Sequence, residues 1–268
     1  MESKTITYQS STIFYRTIGK GRPVVLIHGF AEDGDIWKNQ VDFLKNDCKL
    51  IIPDLPGSGR SAALSSQVSV DIEDYAEVIK AILTEEKIGA CTMIGHSLGG
   101  YTTLAFAEKH PDLLSSFGLV HSSAFADNEE KKANRLKSIE FIKKNGAFEF
   151  LKATITGLYM CQDGSEPSDT YIKAQVEKSR SFTDEAVIQY YQAMINRPDR
   201  TSVLKTFGKP ILFIIGEHDN AVPFEQSMQQ CYLPDQSHIH ILRNSAHMGM
   251  LEETANVNGA LLDFIRSF

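Results

Sequence analysis

Ile94-Gly95-His96-Ser97-Leu98-Gly99-Gly100 closes the apolar run Ala90–Gly95 and opens the helical stretch Leu98–Lys109. A G-x-S-x-G pattern between a predicted strand and a predicted helix is informative because its chemistry needs a sharp strand-to-helix turn. Gly95 and Gly99 lack a β-carbon, so the two elements can approach closely. At such a turn Ser97 adopts a strained backbone and projects outward as a candidate nucleophile. The Leu98 amide falls in the first turn of the helix. N–H groups are unpaired there and the helix dipole favours negative charge, so Leu98 is a candidate oxyanion donor. The same five residues in a loop would be a chance match; the flanking strand and helix argue against that.

Working outward, Pro23–His28, Cys48–Asp54, Ser116–His121, Pro210–Gly216 and Ser237–Leu242 also read as strands. Most are unbroken apolar runs, as expected of strands buried on both faces of a parallel sheet. Helical spacing separates them at Trp37–Asn46 and Val70–Glu86, and Met250–Phe268 reads as a closing helix. The alternation predicts a doubly wound α/β sheet. Thr5–Gln9 and Thr12–Thr17 read as a leading hairpin, with Gly19 and Gly21 just beyond it. Residues 123–206 break the rhythm: Asn128–Lys144, Phe148–Leu158, Asp169–Ser179 and Thr183–Asn196 read as helices, with Thr183 as an N-cap. The expected organisation is a core of residues 1–122 and 207–268 with a helical lid, 123–206, inserted over the sheet's carboxyl edge. Ligands bind at that edge in open α/β sheets.

A serine hydroxyl needs a base, and the base needs an orienting partner. Strand-to-helix serines of this kind are followed along the chain by Asp or Glu and then His. Asp219 lies just beyond Pro210–Gly216, and His247 lies between the last strand and the last helix. Val24–His28 runs into Gly29-Phe30. The Phe30 N–H is the second candidate oxyanion donor, and Gly29 would let backbone approach a substrate oxygen. His28 reads as a loop-holding residue. His121, at the end of the strand that follows the Ser97 helix, is a candidate pocket-lining residue. Gly29, His121 and Val222 together form the expected substrate contacts.

Composition narrows the partners. The 268 residues are 42% apolar and 23% charged, a globular balance, and the formal net charge of -7 offers no general attraction to nucleic acid or anionic membranes. Cys48, Cys91, Cys161 and Cys231 are scattered without metal-ligand spacing, which argues against a zinc site or disulfide framework. No metal and no cofactor are expected. The N-terminus lacks a signal-peptide core, and no stretch approaches the roughly 18 apolar residues of a membrane helix, so a cytoplasmic location is expected. The expected partner is a small-molecule substrate. Self-association as a homo-oligomer is left open.

Five segments together, HGF at 28–30, DLPGSGRS at 54–61, GHSLGG at 95–100, GEHDNAVP at 216–223 and SAHMGMLEE at 245–253, resemble signatures of the α/β-hydrolase superfamily in their usual order. The likeness is to its lid-bearing branch of esterases, lactonases, cofactor-free haloperoxidases and carbon–carbon bond hydrolases. It implies an eight-stranded, mostly parallel sheet with one antiparallel strand near its start. It also implies a carboxylesterase-like serine hydrolase with Ser97, Asp219 and His247 as catalytic triad, working through an acyl-enzyme. Serine at the elbow argues against the aspartate-dependent dehalogenase and epoxide hydrolase branches. No clustered Arg or Lys stands out along the chain, so a small to medium, largely uncharged ester or lactone is expected. The alternatives are a perhydrolase or lyase, a carbon–carbon bond hydrolase, and a non-catalytic ligand-binding relative.

Overall fold

The apolar runs become the middle of one sheet. In the computed structural model, which describes residues 1–64, 69–160 and 169–267, the chain begins β1 (Glu2–Tyr8), β2 (Ser11–Ile18), β3 (Pro23–Ile27), α1 (Lys38–Leu44), β4 (Lys49–Pro53), α2 (Ile72–Glu85), β5 (Cys91–His96), α3 (Leu98–Lys109) and β6 (Leu114–Val120). Helices α4 (Glu129–Asn145), α5 (Ala147–Thr156), α6 (Asp169–Lys178), α7 (Asp184–Asn196) and α8 (Thr201–Thr206) follow. The chain then closes with β7 (Ile211–Gly216), α9 (Phe224–Cys231), β8 (Ser237–Leu242), α10 (Gly249–Glu252) and α11 (Thr254–Ser267).

The eight strands lie in the order β1-β2-β4-β3-β5-β6-β7-β8. β2 pairs antiparallel with both β1 and β4, and every other pairing is parallel. β2 is therefore the one strand running against the rest. Every residue of β5 and β7 is buried, as unbroken apolar runs require of central strands. β8 is an edge strand whose residues are half-buried or exposed up to the buried Leu242. Helices α2 and α3 pack on one another, as do α1 and α11. The apolar stripe of α2, with Ile72, Tyr75, Ala76, Ile79 and Leu83, is buried throughout. Its start is held by Asp74, whose carboxylate accepts from the Asp71 amide at 2.8 Å.

Three local readings change. The first strand ends at Tyr8 and not at Gln9, because Gln9 and Ser10, with φ of 44° and 69°, make the β1–β2 turn. Two positive φ values match the twist of paired strands. The segment expected as one helix from Trp37 is a 3-10 turn, Gly34–Trp37, running into α1. The C-terminal helix is broken at Glu253 (φ -124°, ψ 51°). The break has a cause in the loop before it: Glu252 Oε2 accepts from Ser245 Oγ and the Ala246 amide, both at 2.9 Å, and Glu253 accepts from the Asn244 amide. The turn that begins the last helix thus holds the loop carrying His247.

Helices α4 to α8 stand between β6 and β7. Asn128 and Thr183 cap α4 and α7, accepting from the Lys131 and Ala186 amides. The block is tied to the core by polar contacts, some buried and some exposed. Tyr190 donates to the Pro56 carbonyl at 2.7 Å, so its remaining contact with Ser58, also 2.7 Å, has serine as donor. Lys178 reaches Asp33 at 2.6 Å and Asp35 at 2.7 Å, and the His247 amide donates to the Leu158 carbonyl at 3.0 Å. Cys48, Cys91 and Cys231 are free and buried; Cys161 lies outside the described residues, as does the rest of 161–168. Among the described residues no helix is long and apolar enough to cross a membrane.

Candidate active site

Ser97 is the single residue between β5 and α3, with φ 50° and ψ -114°. A non-glycine residue there costs about 1–3 kcal/mol and persists only where its surroundings enforce it. Here they do. The Ser97 amide donates to Val120 O at 2.9 Å, and its carbonyl accepts from the Gly100 amide at 2.9 Å and from Ser122 Oγ at 2.7 Å. A β-carbon on residue 95 would lie 2.2 Å from Gly99 O, and one on residue 99 would lie 2.4 Å from Ile27 O. Only glycine lets the strand, the turn and the helix meet this closely. The half-buried Ser97 is left facing a cavity of about 390 Å³ that His247 also lines.

Asp219 sits in the loop after β7 with its side chain 1% exposed. Four N–H groups converge on it. The Ala221 and Val222 amides donate to Oδ1, both at 2.9 Å, while His247 Nδ1 at 2.8 Å and His121 Nδ1 at 3.3 Å address Oδ2. Burial alone would raise the pKa of this carboxyl. The facing His247 ring and the hydrogen bonds from His121 and His247 outweigh burial and hold it well below the ordinary carboxylate range. Because the carboxylate is an acceptor only, His247 carries its proton on Nδ1 and leaves the Nε2 lone pair free.

His121 has a different place from the one expected. It is buried behind Asp219 and is not among the residues lining the Ser97 cavity. Its Nε2 accepts from the Gly249 amide at 3.2 Å, so Nδ1 carries the proton that points at Asp219. Burial, aided by the neighbouring His247 and His96, pushes its pKa down to about 4 against the pull of Asp219. His121 is a neutral prop for the carboxylate. Strand position alone does not reveal which way the side chain just after β6 turns.

A second buried pair escaped the sequence reading. Glu32 Oε2 accepts from the Gly29 amide at 2.7 Å and from His96 Nδ1 at 3.0 Å, while His96 Nε2 meets the His247 carbonyl at 3.0 Å. Both His96 nitrogens face acceptors, and only the doubly protonated ring satisfies both. Burial opposes that charge, but Glu32 outweighs it and raises the His96 pKa; Glu32 is correspondingly lowered. This ion pair ties the Gly29-Phe30 turn to the His247 loop. His28, as expected of a loop-holding residue, bridges the Gly29 carbonyl and the Leu55 amide, both at 2.8 Å.

Phe30 and Val222 line the cavity with Ser97 and His247. Gly29 and Leu98 are not among its wall residues, but Gly29 is close enough to Ser97 that a β-carbon there would lie 3.2 Å from Ser97 Cβ. Among the described residues no turn or loop backbone acceptor takes the Phe30 amide, and the Leu98 amide lies at the first position of α3. Tyr101, Leu158, Tyr191 and Met194 supply apolar wall, and Lys131, Asn134, Arg135 and Ser138 of α4 supply polar wall. The basic pair corrects the expectation of a site without clustered cations. Of the described residues, only His121, Asp219 and His247 gather as a set able to hold a metal, their ligand atoms lying within 4.8 Å of one another. Those atoms already hydrogen-bond each other, so a cation would have to displace these bonds.

Residues 22–254 match the family profile described as alpha/beta hydrolase fold. The chain is 26% identical over 263 residues to a 2-hydroxy-6-oxo-6-(2'-aminophenyl)hexa-2,4-dienoic acid hydrolase of Metapseudomonas resinovorans, covering 94% of this chain and 86% of that protein. It is 26% identical to a pimeloyl-[acyl-carrier protein] methyl ester esterase of Vibrio atlanticus, covering 95% and 98%. Among solved structures, a thermophilic esterase from Thermogutta terrifontis, determined with malate bound, superposes with a TM-score of 0.91 at 26% identity, covering 100% of this chain and 99% of that one. With the eight-stranded sheet, this match over most of its length makes the chain a member of the alpha/beta hydrolase fold family.

Proposed function

We propose that the chain is a serine hydrolase that cleaves a small to medium carboxylic ester or lactone through an acyl-enzyme. Ser97 Oγ attacks the carbonyl carbon while His247 Nε2 takes its proton, and Asp219 holds the imidazole in the tautomer this requires. The Phe30 and Leu98 amides receive the negative charge that develops on the carbonyl oxygen. His247 then protonates the departing alkoxide, and water repeats the sequence to release the acid. The observation that carries the reading is the 2.8 Å contact from Asp219 to His247 beside a serine held at φ 50° on the same cavity. Esterases among the relatives support it. In this reading residues 123–206 act as a lid that shields the reacting carbonyl from bulk water.

The test is labelling by a fluorophosphonate probe together with a panel of esters and lactones, using native protein and Ser97→Ala. Native protein should label and turn over esters, and the variant should do neither while melting like the native chain. Undiminished ester hydrolysis by Ser97→Ala would remove the basis of the assignment. Faster turnover of a cyanohydrin, a peroxide donor or a vinylogous 1,5-diketone than of any ester would move the activity to lyase, perhydrolase or carbon–carbon bond hydrolase.

A further inference from the structure

Helix α4 carries Lys131, Asn134, Arg135 and Ser138 at the i, i+3, i+4, i+7 spacing of one helical face, and all four line the Ser97 cavity. The charges on and just behind this wall do not cancel. Asp127, with its side chain 1% exposed, accepts from Arg135 Nε at 2.6 Å and Arg197 Nη2 at 2.9 Å and lies 3.9 Å from Lys131 Nζ. One carboxylate among three cations leaves two positive charges in excess. Arg135 meets Asp127 through Nε alone, and a guanidinium has four further N–H bonds. Lys131 donates to Ala221 O at 3.0 Å, which uses one of its three protons. Among the described residues the one carboxylate on the cavity wall, Glu32, is already matched by His96. The remaining wall, with Phe30, Leu158, Met194 and Val222, suits a methylene chain.

We propose that this face of α4 is a carboxylate-binding subsite, and that the preferred substrate is an ester whose acyl or alcohol part ends in a free carboxylate. Dehydrating that carboxylate is costly unless charged donors replace the lost water. Arg135 and Lys131 supply such donors at the edge of the site where the ester would lie. The proposal rests on the serine-hydrolase reading for its substrate but not for its binding site.

The experiment compares kcat/KM for monomethyl succinate, glutarate and adipate with that for neutral methyl esters of matched length. It is run on the native protein, on Arg135→Gln/Lys131→Gln and on Arg135→Lys. At least one monoester should exceed its neutral counterpart about tenfold or more, and the double variant should lower that ratio by about ten- to a hundredfold. Arg135→Lys should retain part of it. A merely structural role for Arg135 would depress both esters together and leave the ratio unmoved, which overturns the proposal. Failure of every ester would defeat the catalytic reading alone, and calorimetric titration with glutarate then decides. Saturable binding weakened about tenfold in the double variant upholds the subsite; absent or unaltered binding overturns it.

Discussion

Replacing Asp219 by asparagine keeps the side chain's size and removes its charge. The native carboxylate accepts four N–H groups, two on each oxygen. An amide has one oxygen and one NH₂, so either orientation sets N–H against N–H at two contacts. With NH₂ toward the histidines, His247 can relieve the clash only by shifting its proton to Nε2, which removes the lone pair that takes the Ser97 proton. His121 cannot shift without losing the Gly249 amide at 3.2 Å. With the amide reversed, NH₂ opposes the fixed Ala221 and Val222 amides. Buried unsatisfied donors cost about 1–3 kcal/mol each, so the fold should lose roughly 3–5 kcal/mol. At about 2.1 cal/mol/K of unfolding entropy per residue, a 268-residue chain loses roughly 2 °C of Tm per kcal/mol, a fall of about 5–9 °C. Ester kcat/KM should fall by roughly 10³–10⁴, the size expected when the base is held in the wrong tautomer. Scanning calorimetry and p-nitrophenyl acetate hydrolysis read the two effects. An Asp219→Asn protein with native melting and kcat/KM within about twofold of native would refute the reasoning, because neither the charge nor the tautomer would then matter.

Two further outcomes follow from the same coordinates. Gly95→Ala sets a β-carbon 2.2 Å from Gly99 O, against open space within 4 Å at Gly89, so it should cost about 3 kcal/mol or more while Gly89→Ala costs little; equal melting temperatures for the two variants would contradict the close approach at the elbow. His121, neutral in the fold with a pKa of about 4, binds fewer protons than it does unfolded, so its contribution, on the order of 3 kcal/mol, is present above pH ~6.5 and is lost as pH falls toward ~4. Asp219 adds loss below its ordinary range, whereas His96, whose pKa is raised, keeps its contribution in acid and loses it as pH climbs through its folded value. Denaturant titrations should find the stability gap between native and His121→Gln shrinking from pH 7 to pH 4.5, and a constant gap would count against a neutral His121.

Much of the architecture is local and therefore readable from the chain. The apolar runs at 23–28, 48–54, 90–95 and 210–216 need no partner to declare themselves as buried strands, since a continuous run without alternation has two faces to hide. Gly95-His96-Ser97-Leu98-Gly99 carries its turn in its own composition. The order of Ser97, Asp219 and His247 follows from loops that each sit just beyond a strand, and parallel strands bring such loops to one edge. Less legible were α8 and α9, short segments with weak apolar periodicity, and the break at Glu253, which depends on hydrogen bonds to a loop six to nine residues upstream.

What the sequence by itself determined is the sheet, the elbow serine and the loops that carry an acid and a base, because period, glycine placement and loop position are properties of neighbours along the chain. Only the tertiary structure decided that His121 braces Asp219 from behind, that Glu32 and His96 form a buried pair under the His247 loop, and that α4 turns Lys131 and Arg135 toward the cavity that Ser97 lines. Each of these joins residues from separate elements. Which face of a helix or which end of a strand meets a cavity is set by packing against partners far away in sequence, and the spacing of residues along one element carries no record of it.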